Sequence, residues 1–138
     1  MVNKLEINKD PLNNALKLIG GKWKIKILEK LSNRAIRFGK LKKNLDTITS
    51  QMLSKQLKEM ENDTLVKRKV IKSNPIIVEY SLTQFGSSSL PIIRSLIKWG
   101  SINKRKMSRV IEKDQEKAID LLNDEIRFKN LQRKSFYE

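Results

Sequence analysis

Gly39-Lys40-Leu41-Lys42-Lys43-Asn44-Leu45-Asp46-Thr47-Ile48-Thr49-Ser50-Gln51-Met52-Leu53-Ser54-Lys55-Gln56-Leu57-Lys58-Glu59-Met60 is the stretch whose reading decides the fold. Leu41 and Leu45 recur at helical spacing, which predicts a short helix over residues 39–45 with those two inward. Asp46-Thr47-Ile48 is a turn of three residues. Thr49 can cap the helix that follows, and Ile48 before the cap is placed to pack on Leu53, the hydrophobic staple. That next helix spans about residues 50–62. Leu53, Leu57 and Met60 face inward, with Met52 and Gln56 at the margin, leaving Ser50, Gln51, Ser54, Lys55 and Lys58 exposed. Two short helices joined by so tight a turn read as a helix-turn-helix.

Working outward, Leu12, Ala15, Leu16 and Ile19 mark a first helix, opened by Asp10 as cap and Pro11 in its first turn. Gly20-Gly21 ends it. A second helix over residues 22–31 buries Trp23, Ile27, Leu28 and Leu31 and points Lys22, Lys24, Lys26 and Lys30 outward. Trp23 fits the inner stripe better than a stacking platform. Ile36-Arg37-Phe38 is long enough for one ladder contact. On the other side, residues 65–72 alternate Val66, Arg68 and Val70 with Lys67, Lys69 and Lys72, predicting a half-buried strand. Ser73-Asn74-Pro75 is a turn, and residues 77–82 form the returning strand. Thr83 then starts a long helix with Leu90, Ile93, Leu96 and Ile97 on one side and a bend at Pro91. Trp99 fits either the core or a dimer contact. Residues 103–133 stay helical, through Met107, Val110, Ile111, Ala118, Leu122 and Ile126.

The fold class expected is mainly α with a small β-hairpin: a winged helix-turn-helix with extra N- and C-terminal dimerisation helices. At 138 residues the chain reads as a single domain, 1–138, in which 103–138 is a C-terminal helical extension. No apolar run is long enough for a membrane span, and residues 1–10 lack the apolar centre of a signal peptide, so a cytoplasmic protein with no membrane partner is expected.

Thirty Lys and Arg against fifteen Asp and Glu leave +15, of which residues 1–102 carry +12 and residues 103–138 only +3. A field of that sign suits a polyanion. There is no Cys and no His, which removes thiolate nucleophiles, the usual zinc ligands and the commonest acid–base residue at neutral pH. No carboxylate pair stands out from ordinary charged helix surface. No catalytic residue, metal or cofactor is expected, and the chain does not read as an enzyme.

Three motifs in order, Gly20-Gly21-Lys22-Trp23-Lys24, Arg37-Phe38-Gly39-Lys40-Leu41 and Val78-Glu79-Tyr80-Ser81-Leu82-Thr83, resemble the HxlR-type winged helix-turn-helix transcriptional regulators, relatives of the MarR group. The resemblance covers about residues 10–101. It implies a recognition helix at residues 50–62, so Ser50, Gln51, Ser54 and Lys55 match base-reading positions. Three departures stand out. Pro75-Ile76-Ile77 replaces the usual two prolines and a cation, leaving the wing tip without a charge for the minor groove. Asp10 stands where many such proteins carry a redox Cys. Thr64 stands where the family favours Gly, at a position that needs a left-handed backbone.

Each basic cluster has a bland reading and a functional one. The exposed face of the fourth helix is either ordinary solvated surface or a set of donors for phosphates and base edges in the major groove. Lys67, Lys69 and Lys72 either protect an edge strand from unwanted pairing or reach the DNA backbone. Arg37 and Lys40, with Lys43, suit phosphates at the start of the third helix. Lys58 completes the backbone set. Leu12, Leu16, Leu90, Ile93, Ile97 and Leu122 are the expected dimer contacts. The function expected is sequence-specific transcriptional control, as a repressor, by a homodimer on double-stranded DNA with a pseudo-palindromic operator and half-sites about 34 Å apart. The alternative is an architectural or RNA-binding basic protein without sequence preference. Nothing in the sequence names a small-molecule effector.

Overall fold

The computed structural model describes residues 9–137. In chain order the elements are α1 (Pro11–Ile19), α2 (Lys22–Lys30), β1 (Ile36–Arg37), α3 (Phe38–Asn44), α4 (Ser50–Asn62), β2 (Val66–Ser73), β3 (Ile76–Leu82), α5 (Gln84–Ser88), α6 (Leu90–Ile102) and α7 (Lys104–Tyr137). They form two compact units, the first ending at Arg94 and the second beginning at Ser95. The fold is mostly helical with one small antiparallel sheet of order β1-β3-β2.

Local chemistry sets the helix ends. The Asp10 carboxylate accepts the N–H groups of Leu12 and Asn13 at 3.0 and 3.3 Å, and Pro11 occupies a first turn that has no use for its missing donor. Gly21 holds φ +94, which an L side chain adopts only under strain, and α2 starts at the next residue. Thr49 caps α4, its hydroxyl accepting the Met52 N–H at 3.1 Å, and Ile48 and Leu53 are both buried as the staple requires.

The core of the first unit joins Ile27 and Leu28 of α2, Leu41 of α3, Leu53, Leu57 and Met60 of α4, then Leu65, Val66, Tyr80 and Ile93. Each fully buried Leu is worth about 1.5–3 kcal/mol of transfer free energy. Trp23 packs against this cluster half-buried, and Lys22 and Lys26 lie 4.7 and 5.4 Å from its ring centroid, so its outer face is covered by cations. Lys24 Nζ ties α2 to α4 through Glu59 at 2.9 Å.

α4 ends in a left-handed cap. The Thr64 N–H donates to the Glu61 carbonyl at 3.0 Å and the Leu65 N–H to the Met60 carbonyl at 2.9 Å, with Thr64 at φ +61. The left-handed backbone expected at Thr64 is therefore present, held by a β-branched residue. Thr83 closes the base of the hairpin. Its hydroxyl donates to the Thr64 carbonyl at 2.5 Å and accepts the Gly86 N–H at 2.9 Å. A Cβ at Gly86 would stand 2.0 Å from the Leu65 carbonyl oxygen, so only glycine lets α5 approach this closely.

Two sequence expectations are corrected. The single long helix from Thr83, bent at Pro91, is two helices. Thr83 caps α5, the Ser88 and Ser89 hydroxyls donate back to the Phe85 and Gly86 carbonyls, and the helix stops at Ser89. Pro91 then lies in the first turn of α6, where its ring starts a helix instead of bending one. The half-buried strand is also absent: Val66 alone is buried on β2, and Val70 is 47% exposed. Alternation in sequence marks the two faces of a ribbon but does not supply something to cover either one.

Candidate nucleic-acid interface

Helical periodicity gives α4 two faces. Leu53, Leu57 and Met60 anchor one in the core, and Ser50, Gln51, Ser54, Lys55 and Lys58 stand exposed on the other, as the sequence predicted. Gln56 is drawn aside, its amide donating to Met52 Sδ at 3.5 Å. Glu59 is held by Lys24, whose hydrogen bond and charge keep its carboxyl below the usual glutamate range, with a smaller contribution from the charge of Lys55.

The sheet register sorts the cations of the hairpin. Arg68 pairs with Tyr80 and Val70 with Val78, on the face that carries the buried Val66 and Tyr80. Lys67 pairs with Ser81 and Lys69 with Glu79, on the opposite face. Counting by twos would put Lys72 beside Arg68. A bulge between Val70 and Lys72 adds one residue, pairs Lys72 with Ile77 and returns it to the face of Lys67 and Lys69. β1 extends this face, since Arg37 also pairs with Glu79. The structure thus brings Arg37, Lys67, Lys69 and Lys72 onto one side of the sheet. Lys40 and Lys43 are exposed on α3.

Sequence parity alone counted Arg68 among the inward residues of the strand and left it out of the backbone set. It is exposed, and with Ser54, Leu57, Lys58, Glu61 and Tyr80 it lines a groove of about 310 Å³ between α4 and the hairpin. The signal available in the sequence was a cation at an inward parity position. A cation does not bury there without a partner, so the strand had to be open at that point. At the tip, the turn residues Asn74-Pro75 are joined by a cis peptide bond and Ile76 is 69% exposed.

The expected dimer residues do not stay together. Leu90 and Ile93 are 8% and 1% exposed, buried in the core of the first unit, because that stripe of α6 closes over its own sheet and helices. They are not available to a second chain. Leu12 and Leu16 on α1 are more than half exposed, and Ile97 and Leu122 are open as well. α1, α5 and α6 also enclose an apolar groove of about 180 Å³ lined by Ala15, Leu18, Ile19, Phe85 and Ile92, with Leu65 beneath. Ile92, exposed and unremarked in the sequence, is the apolar residue α6 offers there. Among the described residues no group of His, Cys, Asp or Glu could hold a metal ion, and no helix is long and apolar enough to cross a membrane.

A capped helix with a polar face, a tight turn before it and a basic hairpin behind it define a winged helix-turn-helix DNA-binding regulator. The chain belongs to the HxlR-like helix-turn-helix family, whose family model matches residues 18–108. It is 45% identical over 91 residues to the HTH-type transcriptional regulator YdzF of Bacillus subtilis, covering 65% of this chain and 84% of that protein. YdeP of the same organism is 39% identical over 100 residues, covering 72% and 78%. Among solved structures, the redox regulator HypR in its reduced form superposes with a TM-score of 0.66 at 38% identity, covering 69% of this chain and 94% of that one. A MarR-family regulator from Porphyromonas gingivalis W83 gives 0.67 at 35% identity, covering 72% and 98%. The protein is a transcriptional regulator, and its family is one of DNA-binding proteins that are not enzymes.

Proposed function

We propose that the protein is a cytoplasmic repressor that acts as a homodimer on a pseudo-palindromic operator. Each copy lays α4 in the major groove and sets its hairpin against the backbone. Ser50, Gln51, Ser54 and Lys55 read base edges, where Gln pairs with adenine and Lys with guanine. Lys58 and Arg68 hold phosphates beside them, and Arg37, Lys40, Lys43, Lys67, Lys69 and Lys72 meet the flanking backbone. The reading rests on one observation: α4 buries three residues and leaves Ser50, Gln51, Ser54, Lys55 and Lys58 exposed on its other side. The apolar side chains left open on α1 and α6, Leu12, Leu16, Ile92 and Ile97, support the dimer. The whole chain works as one domain, with residues 10–101 as the DNA-binding part and 103–138 as an extension. HypR is described as a redox regulator. This sequence contains no Cys, so a thiol switch has no chemistry here.

The test separates base contacts from phosphate contacts. Gln51→Ala and Ser54→Ala should each cost about 1–3 kcal/mol on the preferred duplex and relax sequence preference. Lys69→Ala and Lys72→Ala should weaken binding to every duplex alike and lower the salt slope by about one unit each. Titration of specific and scrambled duplexes at several salt concentrations decides it. Equal losses on both duplexes for the α4 variants would remove α4 as the reader and favour the architectural alternative.

A further inference from the structure

α7 runs 34 residues, yet none of its described side chains is buried. Val110, Ile111, Leu121, Leu122 and Phe128 are each at least half exposed. With Met107 and Ala118 they fall within one broad stripe at helical spacing. From Met107 to Phe128 the stripe extends over about 32 Å of helix, too long for a patch confined to one turn. A helix of this kind draws its stability from something that covers its apolar side. The family model ends at Ser108, so nearly all of this surface lies outside what the chain shares with its family.

Charge within the stripe selects the occupant. Asp114 and Glu125 lie in it, at helical spacing from Ala118, and Lys129 lies four residues beyond Glu125. A parallel two-fold pair of α7 helices would set Asp114 against Asp114 and Glu125 against Glu125. An antiparallel pair centred between Leu121 and Leu122 stacks the leucines at the axis and brings Asp114 level with Lys129 of the second copy, twice. Sliding that axis two residues toward the N-terminus would oppose Asp114 to Glu125 instead. We infer that α7 docks antiparallel on α7 of a second copy, with Leu121 and Leu122 at the two-fold axis and Asp114 facing Lys129. The inference rests on the homodimer proposed above and locates a contact of that dimer beyond the family domain.

The absence of Cys makes the geometry directly testable in the full-length chain. Leu122→Cys puts two thiols beside the axis, whereas Val110→Cys puts them about 34 Å apart along antiparallel helices. With a short bifunctional maleimide, the Leu122→Cys protein should cross-link to a covalent dimer and the Val110→Cys protein should not. Cross-linking of both means a parallel pair, and cross-linking of neither means that α7 does not pair with itself. Either result overturns the inference. Independently, Asp114→Lys or Lys129→Asp should each raise the dimer dissociation constant by roughly tenfold, and the double variant should recover most of the loss. Single variants that sediment like the parent also overturn it. A chain that sediments as a dimer without cross-linking at Leu122→Cys would sink the α7 contact alone, whereas a monomeric parent would sink the dimer reading with it.

Discussion

α4 and α7 are both amphipathic helices, but they take their places for different reasons. α4 is 13 residues long and buries Leu53, Leu57 and Met60 completely in the core of its own chain. α7 is more than twice that length and none of its described residues is buried. A single copy therefore determines where α4 sits and which side chains it shows. For α7 a single copy determines only that it is a helix. What remains open on α4 is polar apart from Met52, as suits a helix facing a solvated, charged ligand. On α7 an apolar stripe is left open along with the charged side, as suits a helix that meets another protein surface.

Four changes press on this contrast. The largest effect belongs to Leu57→Ala, which leaves a cavity in a filled core and should lower unfolding stability by about 2–5 kcal/mol, independent of protein concentration. Thermal melts over a hundredfold range of concentration would show it. A concentration-dependent loss would mean that α4 too is held by assembly. Deleting residues 110–138 should leave the first unit folded while raising the dimer dissociation constant by at least about tenfold, near 1.4 kcal/mol. Analytical ultracentrifugation reads this, and an unchanged dimer with weakened DNA binding would reverse the roles given to the two helices. Next is Thr64→Gly, which replaces a β-branched residue at φ +61 and should stabilise the end of α4 by about 0.5–1 kcal/mol in chemical denaturation.

The smallest effect concerns Glu59, whose carboxyl Lys24 holds below the ordinary range. A depressed folded value stabilises the fold above the ordinary glutamate value of about 4.3 and loses that contribution as pH falls through the folded value. Glu59→Gln should therefore melt slightly below the parent at pH 7 and match it in acid. A gap that widened as the pH fell would contradict the pairing.

Much of the first unit was legible because its signals are local. The Thr49 cap, the Ile48–Leu53 staple and the spacing of Leu53, Leu57 and Met60 all lie within one short segment and agree with one another. The exposure of Ser50, Gln51, Ser54, Lys55 and Lys58 on the other side of α4 followed from the same spacing. Failures came where the apolar spacing did not carry the deciding contact. Leu90 and Ile93 read as dimer contacts because a sequence stripe does not say whether its own core or a second copy will cover it. The helix break at Ser89 depended on Ser88 and Ser89 turning back on the preceding carbonyls, which the apolar pattern concealed. Arg68 keeps the face that parity gives it but stands exposed, because that side of the strand is uncovered, and Lys72 joins Lys67 and Lys69 only through a bulge that strict parity does not count.

The joint formed by Thr83, Gly86 and the carbonyls of Thr64 and Leu65 fastens the foot of the hairpin to the end of α4. Because it is completed during folding, the angle between α4 and the hairpin base is set before any duplex arrives. Association then need not immobilise one against the other, and the entropy of ordering them does not weigh against the complex. In mechanical terms the two behave as a fork with a welded root, and the freedom left to adapt to different operators lies in the prongs: the side chains of α4 and the outer half of the ribbon beyond Val66.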